Sequence, residues 1–548
     1  MRLSLGEAIW DRLTADPSRV VVRHLSPGGR EITVTAAAMC AQAGAVRAQL
    51  DALALAPGRM VAIVHKSGPI LHAAWLGAMW AGQVPTMVAP PSPRMEPRKF
   101  AEGFRLILSE LGVDAVVIDD ESRAKLGDLL PDLPLIVACA AGTAMPPPPV
   151  PRAMGAVVVV QHTSGTTGAQ KAIGFTSDQF AHHSRIFAAI NRIDADDAIA
   201  SWLPLYHDMG FIACFVTPLL LGIPLIEMSP FDWVAQPAML LDAMARYRAT
   251  LCWLPNFAFN VLAGDRVIQR LAPDCRLDHV KAFVSCSEPV QDEALARFAG
   301  ALAGHGVRRD QLIASYAMAE NLFLVTQNPP GAPRVTRFDA AGIDHGGIAR
   351  ADQAGRALVS NGPAAASTHI LIRQGDAVAG AGAIGEICIS GHHIFSGYAD
   401  RDTPWFGTPD GGRYYPTGDI GFLHEGELYV TGRIKDLIIV RGRNYYPQDV
   451  EALVATIEGV NPGRVVVFGI PDPASGTEAI VVLLELRDVH QDLGPHVALA
   501  VRKAIAQTLD TMAGDVRIMP PRTLVKSTSG KPARAENRRR YLEERGQD

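Results

Sequence analysis

The chain has little cysteine and spaces none of it as a paired motif. Its seven cysteines, Cys40, Cys139, Cys214, Cys252, Cys275, Cys286 and Cys388, are odd in number and scattered over 548 residues. That pattern argues against a disulfide framework and against a structural zinc site. There is no basic excess, because the formal net charge is -5, so a general nucleic-acid binder is not expected. There is no uninterrupted apolar run long enough for a membrane span. The most apolar long stretch, residues 70–90, is broken by Gly77, Gly82 and Pro85 and reads instead as a buried helix followed by a strand. The N-terminal MRLSLGEAIWDRL carries Asp and Glu in an amphipathic helical pattern and lacks a secretory cleavage pattern, which makes the cytoplasm the expected address. No internal repeat is visible.

Apolar material is ample. Hydrophobic residues make up 48% and charged residues 20%, which is a globular composition, and the length favours a large domain plus a smaller one. Up to about residue 150, helical runs alternate with short apolar strands such as Val61 to Val64 and Ala115 to Ile118, the texture of an α/β sheet covered by helices. The Pro-rich residues 145–151 read as a loop. After about residue 380 short strands punctuated by turns, as in IGEICISG and ELYVTGR, predict a β-rich subdomain. The predicted architecture is therefore α/β multidomain. Residues 1–433 form a large N-terminal domain of α/β sheets plus the β-rich subdomain, and residues 434–548 form a small α+β C-terminal domain.

The strongest chemical signal is HTSGTTGAQK, residues 162–171, placed directly after an apolar strand. Its glycines, hydroxyl residues and lysine allow a backbone turn to approach phosphate closely and surround it with donors. The Walker spacing is absent, so a P-loop NTPase is excluded. This run resembles the phosphate loop of the superfamily of acyl-CoA and aryl-CoA ligases, nonribosomal adenylation domains and luciferases. Further segments follow in that superfamily's order: LPLYHDMG (203–210), SCSEPV (285–290), SYAMAE (315–320), YPTGD (415–419), GRIKD (432–436) and KSTSGK (526–531).

The resemblance implies an ATP-dependent enzyme that converts a carboxylic acid to its acyl-AMP, using magnesium, and then passes the acyl group to a thiol. It implies that Thr163, Ser164, Gly165, Thr166, Thr167, Gly168 and Lys171 surround the phosphates. Ser287, Glu288 and Pro289, with Ser315, Tyr316, Ala317 and Met318, would hold the adenine, and Tyr316 would stack on it. Asp419 and Arg433 would take the ribose, and Glu320 with Thr167 the magnesium. Lys531, His207 and Glu320 are the implied catalytic residues. Lys435 aligns with the hinge about which a mobile C-terminal domain rotates between the two half-reactions. Trp202, Phe211, Trp253, Asn256, Phe283 and Asn321 are expected around the acid. Taken singly, His207, Asp419, Lys435 and Lys531 would pass for ordinary structural or surface residues; their order along the chain gives them weight.

Within the superfamily, LPLYHDMG, RYRATLCWLPNFAF, FVSCSEPV and KDLIIVRGRNYYPQDVE resemble fatty acyl-AMP ligases, which deliver the acyl group to the phosphopantetheine arm of a carrier protein. The spacing from Glu320 to Gly385 leaves room, around residues 328–358, for the inserted segment of that branch. A CoA-thioester-forming ligase is the alternative reading, and a nucleotide-binding relative without catalysis a third. Departures fall at Gln170, where proline is usual, at Ala172 and Ala317, where glycine is usual, and at Asn321 and Trp253. They leave a fatty, functionalised or aromatic acid open.

Overall fold

The computed structural model of the chain describes residues 3–91, 97–130, 132–138, 142, 144–163, 171–331, 333–398, 402–472, 477–487, 494–526 and 530–546. It is an α/β protein of several sheets. The first sheet runs, in spatial order, Phe323–Gln327, Leu312–Met318, Ala282–Ser285, Leu251–Leu254, Ile199–Ser201, Leu225–Met228, Val20–Ser26 and Arg30–Thr35. Its inner pairs are parallel, and antiparallel strands close both edges. The second sheet runs Leu135–Val137, Val113–Ile118, Met60–Val64, Val84–Val88, Val157–Thr163 and Lys171–Thr176, parallel except for the last pair. Parallel strands are covered on both faces, which is why their sequences read as nearly unbroken apolar runs.

Local chemistry starts and stops the helices as the sequence implies. Ser4 and Glu7 form a capping box at the head of helix Leu5–Ala15, and Thr176 and Gln179 form another at the head of Ser177–Asn191. The apolar stretch near residue 70 becomes helix Pro69–Trp80, with proline in its first turn and all but one residue buried, followed by strand Val84–Val88. Residues 145–151 form no regular element. The carbonyls of Pro147 and Pro148 accept from Arg47 Nη1 at 2.6 and 2.8 Å.

The largest core lies between the two sheets and their helices and includes Trp75, Trp80, Phe187, Phe211, Phe215 and Trp253. Trp253 stacks on Phe187 at 5.0 Å between ring centroids. Fully burying side chains of this kind contributes about 1.5–3 kcal/mol each. A second core, with Trp202, Trp233, Phe259, Phe283 and Phe298, fills the other face of the first sheet.

The β-rich part starts earlier than the sequence texture implies, at Thr368–Gln374. That strand pairs with Gly385–Gly391, which pairs with Arg413–His424, and Glu427–Arg433 completes the antiparallel set. Beyond Ile438 the chain builds a core of its own, from Ile438 to Val516, around strands Val460–Asp472, Thr477–Leu486 and Ala513–Met519. Helices Pro447–Ala455, Gly494–Leu509 and Arg534–Arg545 belong to this part. Among the described residues no helix is long and apolar enough to cross a membrane, and six cysteines are free and buried; Cys139 lies outside them.

Helices Ala36–Asp51 and Pro69–Trp80 cross closely at Gly77, where a Cβ would lie 2.6 Å from the Ala43 carbonyl oxygen and 2.9 Å from Val46 Cβ. Gly77→Ala therefore forces the helices apart and is expected to cost about 1–3 kcal/mol. Thermal unfolding measures this; a melting temperature equal to that of the parent would contradict the packing.

Candidate active site

Several of the singled-out segments meet at one cleft, and most of them lie at the ends of strands. Strand Val157–Thr163 pairs with Lys171–Thr176 so that Thr163 faces Lys171. Residues 164–170 fall in sequence between the two strands of this pair. Ser164, Gly165, Thr166, Thr167 and Gly168 lie outside the described residues, as does the side chain of Thr163. Lys171 Nζ donates to Tyr398 Oη at 3.2 Å and sits 4.5 Å from that ring's centroid.

Tyr398 leads to Glu320, which follows strand Leu312–Met318 in a 3₁₀ turn. The Tyr398 hydroxyl donates to Glu320 Oε1 at 2.7 Å, the Tyr415 hydroxyl lies 3.4 Å from the same oxygen, and the two phenols are 2.5 Å apart. Burial and the adjacent carboxylate raise both phenols well above the ordinary tyrosine range. They therefore remain protonated donors, and the carboxylate is held in one orientation. Among the described residues no three His, Cys, Asp or Glu side chains cluster as a ready-made metal cage. A lone oriented carboxylate suits magnesium, which takes one or two protein carboxylates and fills its remaining positions with phosphate oxygens and water.

Asp419 is buried and bonded on both oxygens. Oδ2 accepts from the Tyr316 hydroxyl at 2.6 Å, and Oδ1 from Arg433 Nε at 2.7 Å. The register that places Asp419 directly opposite Arg433 on adjacent strands creates the second contact. With its hydroxyl anchored, the Tyr316 ring is fixed. Ser315 instead donates to the Thr326 carbonyl, a bond within the sheet, while Ala317 and Met318 are half-buried against the main core.

Two residues after strand Ala282–Ser285 comes Ser287, whose φ of 70° is left-handed. The carbonyl it presents accepts from Lys531 Nζ at 2.5 Å. The lysine comes from the C-terminal part, so the cleft is closed from both sides. Burial lowers the lysine's proton affinity, Arg433 lowers it further, and the carboxylates of Glu288 and Asp208 raise it. Glu288 also accepts from the Phe257 backbone N–H at 3.1 Å, and Pro289 follows it at the half-buried rim.

His207 and Asp208 occupy a tight turn before the π-helix Met209–Val216, a wide turn of a kind frequent at functional sites. Gly210 is required there, since a Cβ would lie 2.4 Å from the Pro204 carbonyl oxygen. Burial, followed by the charge of Lys531, pushes the His207 imidazole down to about 4. Lys435 is exposed in the 3₁₀ turn Ile434–Asp436, between the antiparallel sheet and the C-terminal core.

The six residues expected around the acid do not come together. In the paired strands Trp253 aligns with Val284 and Cys252 with Phe283, so Trp253 and Phe283 point to opposite faces. Phe283 packs on Phe298 at 5.2 Å and Trp202 on Trp233 at 3.9 Å, both in the second core. Asn256 is tied to Gln291, and Asn321 is fully buried and donates to the Leu324 carbonyl at 2.7 Å. Phe211 lines a cavity, together with Trp75, Val160, Gln161 and Tyr206. Sequence reasoning missed Tyr398, Tyr415 and Asp208. Tyr415 and Asp208 lie inside quoted motifs, but Tyr398 is 78 residues from the glutamate it orients, and no local signal marks it.

Residues 9–399 match the AMP-binding enzyme family. The chain belongs to that family. It is similar to the long-chain-fatty-acid–AMP ligase FadD26 of Mycobacterium marinum, 30% identical over 551 residues that cover 94% of this chain and 93% of the relative. It is also similar to a 4-hydroxyphenylalkanoate adenylyltransferase of Mycobacterium tuberculosis, 28% identical, covering 98% and 92%. A solved structure from a study of fatty acyl-adenylate ligases of E. coli and L. pneumophila shares the fold, with a TM-score of 0.85 and 24% identity over 100% of this chain and 99% of that one. The L. pneumophila ligase in complex with acyl adenylate and pyrophosphate has a TM-score of 0.74 at 25% identity, covering 98% and 96%. This adenylate-forming ligase thus carries the predicted α/β multidomain fold over its whole length.

The His207 shift is directly measurable. Its folded-state value of about 4 lies below the ordinary 6.5, so the unfolded chain takes up the proton first as pH falls. The associated stability is present above about pH 6.5 and is lost as pH drops toward 4. An NMR titration, with the His207 signal assigned by its loss in His207→Gln, is expected to show a midpoint near 4; a midpoint near 6.5 would refute the buried, lysine-facing placement.

Proposed function

We propose that this ligase binds ATP with magnesium, activates a carboxylic acid as acyl-AMP with release of pyrophosphate, and passes the acyl group to the phosphopantetheine thiol of a carrier protein. The observation that carries this reading is Lys531 Nζ on the Ser287 carbonyl. It brings a cation from the C-terminal part to the cleft that already holds Glu320 and the Asp419–Tyr316–Arg433 group. In the first step a carboxylate oxygen attacks the α-phosphorus, and the bond to pyrophosphate breaks with its electron pair on the leaving group. Both reactants are anions, so approach requires neutralisation. Lys531 supplies positive charge beside the attacking carboxylate and the phosphoryl oxygens, and Lys171 beside the phosphates. Glu320, oriented by Tyr398 and Tyr415, would hold magnesium, which would neutralise phosphate charge. Thr163, Ser164, Gly165, Thr166, Thr167 and Gly168 would cradle the phosphates, and the Thr167 hydroxyl would join Glu320 in holding magnesium. Asp419 exchanges its protein partners for ribose hydroxyls, and Tyr316 flanks the adenine beside Ser287, Glu288 and Pro289. His207, neutral at pH 7, lines the acid site.

In the second step the thiol loses its proton to solvent, sulfur attacks the acyl carbonyl, and AMP departs with the bonding pair. Residues 1–433 act as the adenylating domain and 434–548 as a domain that turns about Lys435 to withdraw Lys531. The carrier-protein reading is favoured over CoA by the segment before residue 358. Asp344 of that segment binds Arg443 at 2.7 Å, and Arg356 bridges Asp344 at 2.9 Å and Asp449 at 3.2 Å. These ion pairs tie the segment to the C-terminal part and limit its excursion.

Lys531→Ala is expected to cut acid-dependent pyrophosphate release by about 10²–10³-fold, as for other lost electrostatic stabilisers, while transfer from supplied acyl-AMP to a phosphopantetheinylated carrier persists. Equal loss of both half-reactions would contradict the rotation. A parallel incubation decides the acceptor: with ATP, magnesium and an acid panel, the carrier should be acylated efficiently and CoA poorly. Efficient CoA thioester formation would establish the CoA-ligase reading instead.

A further inference from the structure

Next to the cleft lies a cavity walled by Trp75, Met87, Val160, Gln161, Tyr206 and Phe211. It adjoins the reacting centre at two points, since Tyr206 precedes His207 and Gln161 stands two residues before Thr163. The wall is apolar apart from a few groups, and two of those are anomalous. Gln161 is 4% exposed, yet among the described residues neither its Nε2 nor its Oε1 has a hydrogen-bond partner. Trp75 is fully buried, and its indole Nε1 is likewise unpartnered there. Buried polar groups are almost always paired, and here two residues that line one small cavity hold three unmet atoms, with both ends of the Gln161 amide among them. An aliphatic side chain at position 161 would fill the same space without this cost, because its strand neighbour Ile173 is wholly buried.

The chemistry of these atoms selects a partner. Two are donors and one is an acceptor. A hydroxyl group answers all three, because its oxygen accepts from the amide and indole N–H groups and its hydrogen is donated to Gln161 Oε1. A ketone would leave Oε1 unmet, and a methylene would leave all three. We propose that this cavity receives a hydroxyl carried on the acyl group, so that the enzyme prefers hydroxylated acids to unsubstituted acids of the same length. The inference rests on the adenylation reading and names the substrate class of that site. Selectivity of this kind is strong, because a site built to hydrogen-bond a hydroxyl penalises the analogue that lacks it.

The test measures pyrophosphate release by the full-length enzyme with magnesium and ATP, over matched acids. Straight chains are compared unsubstituted, with one hydroxyl and with one ketone at successive positions, and phenolic acids are compared with their phenyl counterparts. At least one hydroxylated acid should exceed both analogues by about tenfold or more in kcat/KM, mainly through KM. Gln161→Leu should erase that preference, and Trp75→Phe, which keeps the ring and removes the N–H, should reduce it. Gln161→Met provides the same comparison if the leucine variant does not fold. Pyrophosphate release without preference for any hydroxylated acid overturns the inference alone. So does an equal loss on all acids in the Gln161 variants, which would make the amide structural or water-bound. No release with any acid overturns the adenylation reading and this inference with it.

Discussion

A lysine ammonium withdrawn from water has to be met by charge and by hydrogen-bond acceptors, or it gives up its proton. Lys531 is in this position. Its stem belongs to the C-terminal part, its nitrogen rests on a carbonyl of the N-terminal part, and burial lowers its proton affinity while Glu288 and Asp208 offset part of that cost. The carbonyl is available because the chain turns left-handed at Ser287, two residues beyond a buried strand. Removal of any one support weakens the reason for the lysine to enter the cleft. The association of the two parts and the electrostatics of the proposed reaction therefore rest on the same contact.

The remaining site groups are preorganised by similar means. Two buried phenols fix Glu320, and one phenol and one guanidinium fix Asp419. In each case a carboxylate is oriented by neutral or positive donors set in rigid sheet or in turns bonded to it. Such pairs arrange charge before substrate arrives, so that less reorganisation is needed as charge develops. The ion pairs of Asp344, Arg356, Arg443 and Asp449 act at a different level, because they join the C-terminal part to the segment ahead of the antiparallel sheet. Asp344 is buried and both of its arginine partners are partly buried, so loss of either arginine would leave a buried charge less fully met.

Legibility followed the range of the interactions. Helix Leu5–Ala15 and helix Pro69–Trp80 were readable because a cap, a first-turn proline and an apolar run act within one or two turns. Strands such as Val113–Ile118 showed as apolar blocks, although their partners did not: Val20–Ser26 pairs with Leu225–Met228, and no local feature links them. The motif residues Asp419, Arg433, Glu320 and Lys531 stood out as an ordered set. The acid-pocket residues did not survive as a group, because strand pleat and register send Trp253 and Phe283 to opposite sides of one sheet.

By itself the sequence determined the class of fold, the adenylate-forming family and the order of its charged and glycine-rich motifs, since these depend on local propensity and on short contiguous patterns. Only the tertiary structure decided which groups meet: that Tyr398 orients Glu320, that Tyr316 and Arg433 share Asp419, and that Gln161 and Trp75, each with unpartnered polar atoms, line one cavity. Those contacts join residues far apart along the chain. They arise from the pairing of strands and the packing of sheets, which no local stretch of residues encodes.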